Sequence, residues 1–240
     1  MSARTWRVLM VSRHPIDPTI HSGTAYFLQE ALRAAGCRVT TLDGLLPPPR
    51  WRAMAARGPA FLLRALSTRT RQHLARLGGR IEYWGRNASM ADYYARLIRA
   101  ELARAPYDVI VADKAEAELA ALETPVPIIY SHDATAEILR DYDATFARLT
   151  RRAARELVDL ERRATARARA VVYRSEWAAA SARRTLDLPA GRVRVIYPGP
   201  NLLPAWLPGV VRPRPPAPSW RLLLIGRDWQ RKGVARAIAA

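Results

Sequence analysis

Two cations near the end of the chain, Arg227 and Lys232, stand five positions apart in Leu223-Leu224-Ile225-Gly226-Arg227-Asp228-Trp229-Gln230-Arg231-Lys232-Gly233. An apolar run that gives way to a polar loop at Gly226 is the pattern of a buried strand ending at the ligand edge of a parallel sheet. Two fixed cations on such a loop can stabilise negative charge growing on a leaving oxygen without a metal. The helix expected from Lys232 onward adds its positive dipole end. The competing reading is that both are surface cations of a basic protein. Arginine argues little here, because the 39 basic residues comprise 37 arginines and only two lysines, Lys114 and Lys232. Lys232 is therefore the more informative of the pair.

Other reactive side chains fall at the ends of apolar runs. Asp108 to Ala112 and Val126 to Tyr130 are candidate buried strands; Asp113 and Lys114 follow the first, and Ser131, His132 and Asp133 the second. Strand C-termini of parallel sheets are where ligands bind, because the loops there converge on helix N-termini. Asp133 can instead cap the next helix, and His132 can simply hydrogen-bond its loop. Nearer the start, Ser22-Gly23-Thr24 opens a helical pattern with Phe27, Leu28, Ala31 and Leu32 on one face.

These residues need a scaffold, and the pattern supplies one. Val8 to Val11 reads as a first strand, Gly36 stops the first helix, and Val39 to Leu42 is a second strand. Ala115 to Leu122 and Thr145 to Arg169 read as helices, the second with a stripe of Leu149, Ala153, Leu157, Leu160 and Ala164. Glu161 on that helix reads as helix-face pairing. Ala170 to Tyr173 is a strand, Ser175 an N-cap for a helix over 177–184, and Val193 to Tyr197 a further strand. This alternation predicts an α/β fold with a Rossmann-like parallel sheet over residues 1–200. Eight of the 18 prolines lie between Pro198 and Pro218, which marks 201–218 as a linker. Residues 219–240 then restart the pattern as the first strand, loop and helix of a second Rossmann-like domain.

Residues 50–106 carry twelve arginines against Glu82, Asp92 and Glu101, half of the net charge of +18. They read as a basic helical insertion, either solvated helices covering the sheet or a surface for an anionic membrane or an acceptor. With alanine so abundant, the arginine excess also fits a genome-wide codon bias. Cys37, the single cysteine, excludes an internal disulfide and a cysteine zinc site and suits a reducing cytoplasm. The N-terminal apolar stretch is too short for a signal peptide, and no run reaches the roughly 20 residues of a membrane span. Specific nucleic-acid binding is not expected, since the aromatics do not interleave with basic residues on a strand face.

The segment Leu223 to Gly233 resembles the donor-diphosphate clamp of retaining GT-B glycosyltransferases of the family 4 class. Ser22-Gly23-Thr24 resembles that family's first glycine-bearing loop, where a missing side chain lets the backbone approach the donor phosphate, although the family more often has two glycines. His132-Asp133-Ala134-Thr135 lies where family members carry a polar residue, often His, near the reacting sugar. Tyr173 to Ala179 and Val193 to Asn201 resemble two structural segments of the family, the latter with Pro198-Gly199-Pro200-Asn201 departing from the usual order.

The resemblance implies retaining transfer from a nucleotide-diphosphate sugar to a glycan, lipid-linked or small-molecule acceptor. Arg227 and Lys232 would sit on the diphosphate, Ser22, Gly23, Thr24 and Gly226 beside the donor, and His132 and Asp133 near the sugar. No metal or other cofactor is expected. The paired acidic motif by which the family recognises the nucleotide is not reached before Ala240, so a truncated enzyme is expected whose 240 residues alone transfer sugar poorly or not at all. The rival expectation is an inactive homologue serving as a basic membrane- or partner-binding module, peripheral on the cytoplasmic face.

Overall fold

The structure, a computed structural model, describes residues 5–45, 58–82, 86–202, 223, 229–230 and 232–239. The chain forms two units, Met1–Gly199 and Pro200–Ala240. In the first unit, six parallel strands, β1 (Arg7–Ser12), β2 (Arg38–Leu42), β3 (Val109–Asp113), β4 (Ile128–His132), β5 (Ala170–Tyr173) and β6 (Val193–Val195), form one sheet in the order β2-β1-β3-β4-β5-β6. This is the α/β Rossmann-like architecture expected from the β-α alternation. The order reverses direction between β1 and β3, since β2 and β3 pair along opposite sides of β1. Such a switch point splays the flanking loops apart and leaves a crevice at the strand C-termini.

Helices fill the connections. They are α1 (Thr24–Ala34), α2 (Gly58–Leu77), α3 (Ala88–Leu102), the single turn α4 (Glu116–Leu119), α5 (Ala136–Tyr142), α6 (Ala144–Ala147), α7 (Arg151–Arg167) and α8 (Glu176–Thr185). The second unit contributes α9 (Val234–Ala239). The core is aliphatic with a few tyrosines: Leu9, Val11, Ile110 and Tyr130 from the sheet meet Met90, Tyr94 and Ile98 of α3, Leu160 and Ala164 of α7, and Ala178 and Ala182 of α8. Each fully buried Leu or Ile there contributes about 1.5 to 3 kcal/mol. Within the basic stretch, α3 is thus a core helix, buried along Met90, Ala91, Tyr94, Ala95 and Ile98, while the C-terminal half of α2 leaves Leu74 and Leu77 exposed.

Local departures from the sequence pattern have tertiary causes. The helix expected over 145–169 is broken at Leu149, which forms a parallel bridge with Ile81; the Ile81 amide donates to the Arg148 carbonyl and the Thr150 amide to that of Ile81. Thr150 then caps α7, accepting from the Ala153 amide. Ser175 caps α8 as expected. The last strand ends at Val195, leaving Ile196 and Tyr197 exposed. No helix among the described residues is long and apolar enough to cross a membrane.

Candidate active site

Strand register lines up the ends of four strands. Ser12 faces Asp113, Asp113 faces Ser131, and His132 faces Tyr173, so that Arg13, Lys114, Asp133 and Arg174 follow at the C-terminal edge, the last three as a charged rim. Lys114 turns the chain with φ +52, donates its amide to the Ser131 carbonyl at 2.9 Å, and places Nζ 2.9 Å from Asp133 Oδ2. His132 Nδ1 lies 2.9 Å from Asp133 Oδ1 and 3.1 Å from the Ala134 amide. One ring nitrogen cannot donate to the first and accept from the second at once, so the tautomer decides which contact is made. Partial burial opposes the Asp133 charge, but His132 and Lys114 outweigh it and hold this carboxyl well below the usual range. Arg174 Nη2 reaches Asp113 Oδ1 at 2.5 Å.

Beneath the rim lies a second tier of charge. Arg13, buried, donates from Nη2 to Glu118 Oε2 at 2.9 Å and stands 5.9 Å from the centre of the Tyr94 ring. Arg86 Nε is 3.1 Å from Glu116 Oε1. Burial opposes ionisation of Glu116, yet Arg86, Arg13 and His132 hold its pKa below the ordinary carboxylate value. Glu118 goes the other way: burial, with Glu116 nearby, raises it despite Arg13. Charged groups in a core are costly unless matched, and their concentration under one edge of the sheet makes that edge the candidate site.

The loop from β1 to α1 covers the switch point. His21, Ser22 and Gly23 take φ values of +50, +58 and +70 in succession. For the two residues with side chains, this left-handed conformation costs about 1 kcal/mol or more each. At Gly23 a Cβ would lie 2.8 Å from both the Pro18 carbonyl oxygen and the Phe27 ring, so only glycine fits. Thr24 opens α1 and donates its hydroxyl to the His21 carbonyl at 2.9 Å. The His14 and His21 rings stand 4.4 Å apart. Burial and then the neighbouring His21, Arg13, Arg86 and Lys114 push His14 down to about 4. Burial and Lys114 lower His21, with Asp133 opposing. This links the loop electrostatically to the Lys114–Asp133 pair.

The structure therefore brings His132, Asp133 and the Ser22-Gly23-Thr24 loop to one edge. Asp133 is not the cap of α5: Thr135 fills that position, its hydroxyl accepting from the Ile138 amide. Gly226 and Arg227 lie outside the described residues. Lys232 is exposed in the turn before α9, in the second unit, followed by Gly233 at φ +68. Sequence reasoning missed Arg13, His14, His21, Arg86, Glu116 and Glu118. A signal existed, since Arg13 directly follows a buried strand and Glu116 and Glu118 are embedded among Ala115, Ala117, Leu119 and Ala120. Among the described residues, no group of three or more His, Cys, Asp or Glu could hold a metal ion.

Residues 24–202 match the family model described as Glycosyltransferase Family 4. The chain belongs to Glycosyltransferase Family 4. Comparison with curated proteins gives no match. As a glycosyltransferase domain it serves transfer between a sugar donor and an acceptor. The matched range runs from the first residue of α1 past β6 and includes Lys114, His132 and Asp133; β1 and the histidine-bearing loop precede it.

Proposed function

We propose that this family 4 protein transfers a sugar from a nucleotide-diphosphate donor to an acceptor with retention of anomeric configuration. The observation that carries the reading is the joined set His132, Asp133 and Lys114 beside the left-handed Gly23 loop at the switch point. In this reading Lys114 fixes the Asp133 carboxylate, Asp133 orients His132, and the imidazole hydrogen-bonds a hydroxyl of the reacting sugar. The backbone at Ser22, Gly23 and Thr24 approaches the donor phosphates. Arg227, Gly226 and Lys232 belong to the diphosphate, where the cations stabilise the leaving group's charge. Catalysis is then positioning and charge stabilisation, and it needs no metal.

The test is incubation with a panel of nucleotide sugars and acceptors, with the product's anomeric configuration read by NMR. A retained configuration is expected, and an inverted product overturns the reading. His132→Ala and Lys232→Ala should each lower turnover roughly 100-fold, the usual scale for losing one transition-state contact.

One observation favours a second role, adhesion to an anionic membrane. Leu74 and Leu77 project from α2 at 60% and 74% exposure, with Arg69, Arg76 and Arg80 also exposed around them. An apolar ridge set among arginines is suited to a bilayer surface. Co-sedimentation with phosphatidylglycerol vesicles, lost in the Leu74→Asp/Leu77→Asp double variant, is the expected outcome.

A further inference from the structure

The expectation that Glu161 pairs along the face of its helix is not met, and its actual place suggests more. Its side chain points inward from α7 and is 2% exposed. Oε2 accepts from the Ala136 amide at 2.8 Å and Oε1 from the Tyr173 hydroxyl at 3.3 Å. Ala136 is the first residue of α5, and the turn before it begins at Asp133, directly after His132, the last residue of β4. Thr135, between them, is tied to Ser181 of α8 by a 2.8 Å hydroxyl contact. Glu161 therefore ties α7 and β5 to the start of α5, directly behind that turn.

A small cavity, with about 10 Å³ open to a water-sized sphere, joins Glu161 to the site. Its polar lining is Arg86, Glu116, Tyr130, His132 and Glu161, and Leu139, Phe146 and Leu157 make the rest apolar. Glu116 Oε1 is paired with Arg86 Nε at 3.1 Å, whereas Glu116 Oε2 and the Tyr130 hydroxyl, both buried, have no hydrogen-bond partner among the described residues. Leaving each unmatched would cost about 1 to 3 kcal/mol, and the space admits one water with enough polar neighbours to hold it.

We propose that Glu161 is a positioning residue for His132: it anchors the turn that follows that histidine and exchanges a proton beside it, through the shared cavity. The groups facing it are Tyr130 and His132 from β4, Tyr173 from β5, Glu116 from α4, Arg86 ahead of α3, and the Ala136 amide of α5. Ionised, the carboxylate accepts from Ala136 and Tyr173 together. Protonated, it must donate one hydrogen, and the Tyr173 oxygen or the cavity water receives it. Either exchange alters the field at the imidazole. Burial raises Glu161 to about 7, with His132 and the Ala136 amide opposing, so the exchange falls in the neutral range. The inference rests on the reading of His132 as the sugar-side residue for its catalytic meaning, but its physical test does not.

Carbon-13 NMR of labelled Glu and His in the intact chain, followed from pH 5 to 9, is that test. The Glu161 carboxyl should titrate near 7, and the His132 ring signals should carry a component with the same midpoint. Glu161→Gln, which keeps the size and the Ala136 contact, should remove that component. A Glu161 carboxyl titrating near its ordinary value of 4.5, or a His132 profile unchanged in Glu161→Gln, overturns the proposal. Should that variant fail to fold, Tyr173→Phe takes its place: losing the donor to the carboxylate should move the midpoint upward, and an unmoved midpoint is equally fatal. Absence of sugar transfer alongside a coupled His132 would sink the catalytic reading alone.

Discussion

The two edges of the sheet carry ion pairs of different character. At the N-terminal edge, Arg7 bridges to Asp108, its Nε 3.3 Å from Oδ2, with the Arg7 side chain 45% exposed over an Asp108 side chain that is 8% exposed. At the C-terminal edge, Arg13 meets Glu118 at 2.9 Å with both side chains buried. An exposed pair gains little over its hydrated parts, whereas a buried one must first overcome desolvation. Stability alone would favour apolar residues at Arg13 and Glu118. Their presence below the rim, with Glu116, Arg86 and Glu161 close by, supports the proposal that this edge is the one organised for chemistry.

The largest way to sharpen the contrast is Arg13→Ala, which strands Glu118 and should cost about 3 to 5 kcal/mol in urea unfolding. The double change Arg13→Met/Glu118→Leu should recover that loss, and a double variant as unstable as the single one would break the comparison. Next comes Glu161→Gln. The Glu161 carboxyl is raised from 4.5 to about 7, so its contribution to stability is complete below 4.5 and is lost as pH rises through 7. The variant lacks this loss. It should gain on the parent between pH 5 and pH 8, by up to roughly 3 kcal/mol, in melts across that range. Gly23→Ala should follow, at about 1 to 3 kcal/mol from left-handed strain, and more if Pro18 and Phe27 cannot move. Arg7→Ala should leave the melting temperature within experimental scatter, and a large drop there would erase the distinction between the edges.

Much of the frame is legible in the residues. Strands ending at Ala112 and Tyr130, within two residues of the observed ends at Asp113 and His132, the glycine-bearing loop at 22–24 and the helix stop at Gly36 follow from local rules of burial, turn and cap. The candidate site was legible only in part. Glu161 shares the stripe of Leu157, Leu160 and Ala164 at helical spacing, which places it on the buried face, yet a charged residue there reads by default as solvent pairing. Asp133 reads equally well as a cap, and only the Thr135 hydroxyl already in that place rules it out. The break at Leu149 has no local cause, because its bridge partner is Ile81.

The sequence by itself determined the alternation of strands and helices and the placing of polar residues behind apolar runs. These depend on interactions within a few residues. Only the tertiary structure decided that Arg13 meets Glu118, 105 positions away, that Lys114 binds Asp133, and that Glu161 supports the turn before Ala136. Those pairings depend on strand order and register, which long-range packing sets and no local pattern encodes.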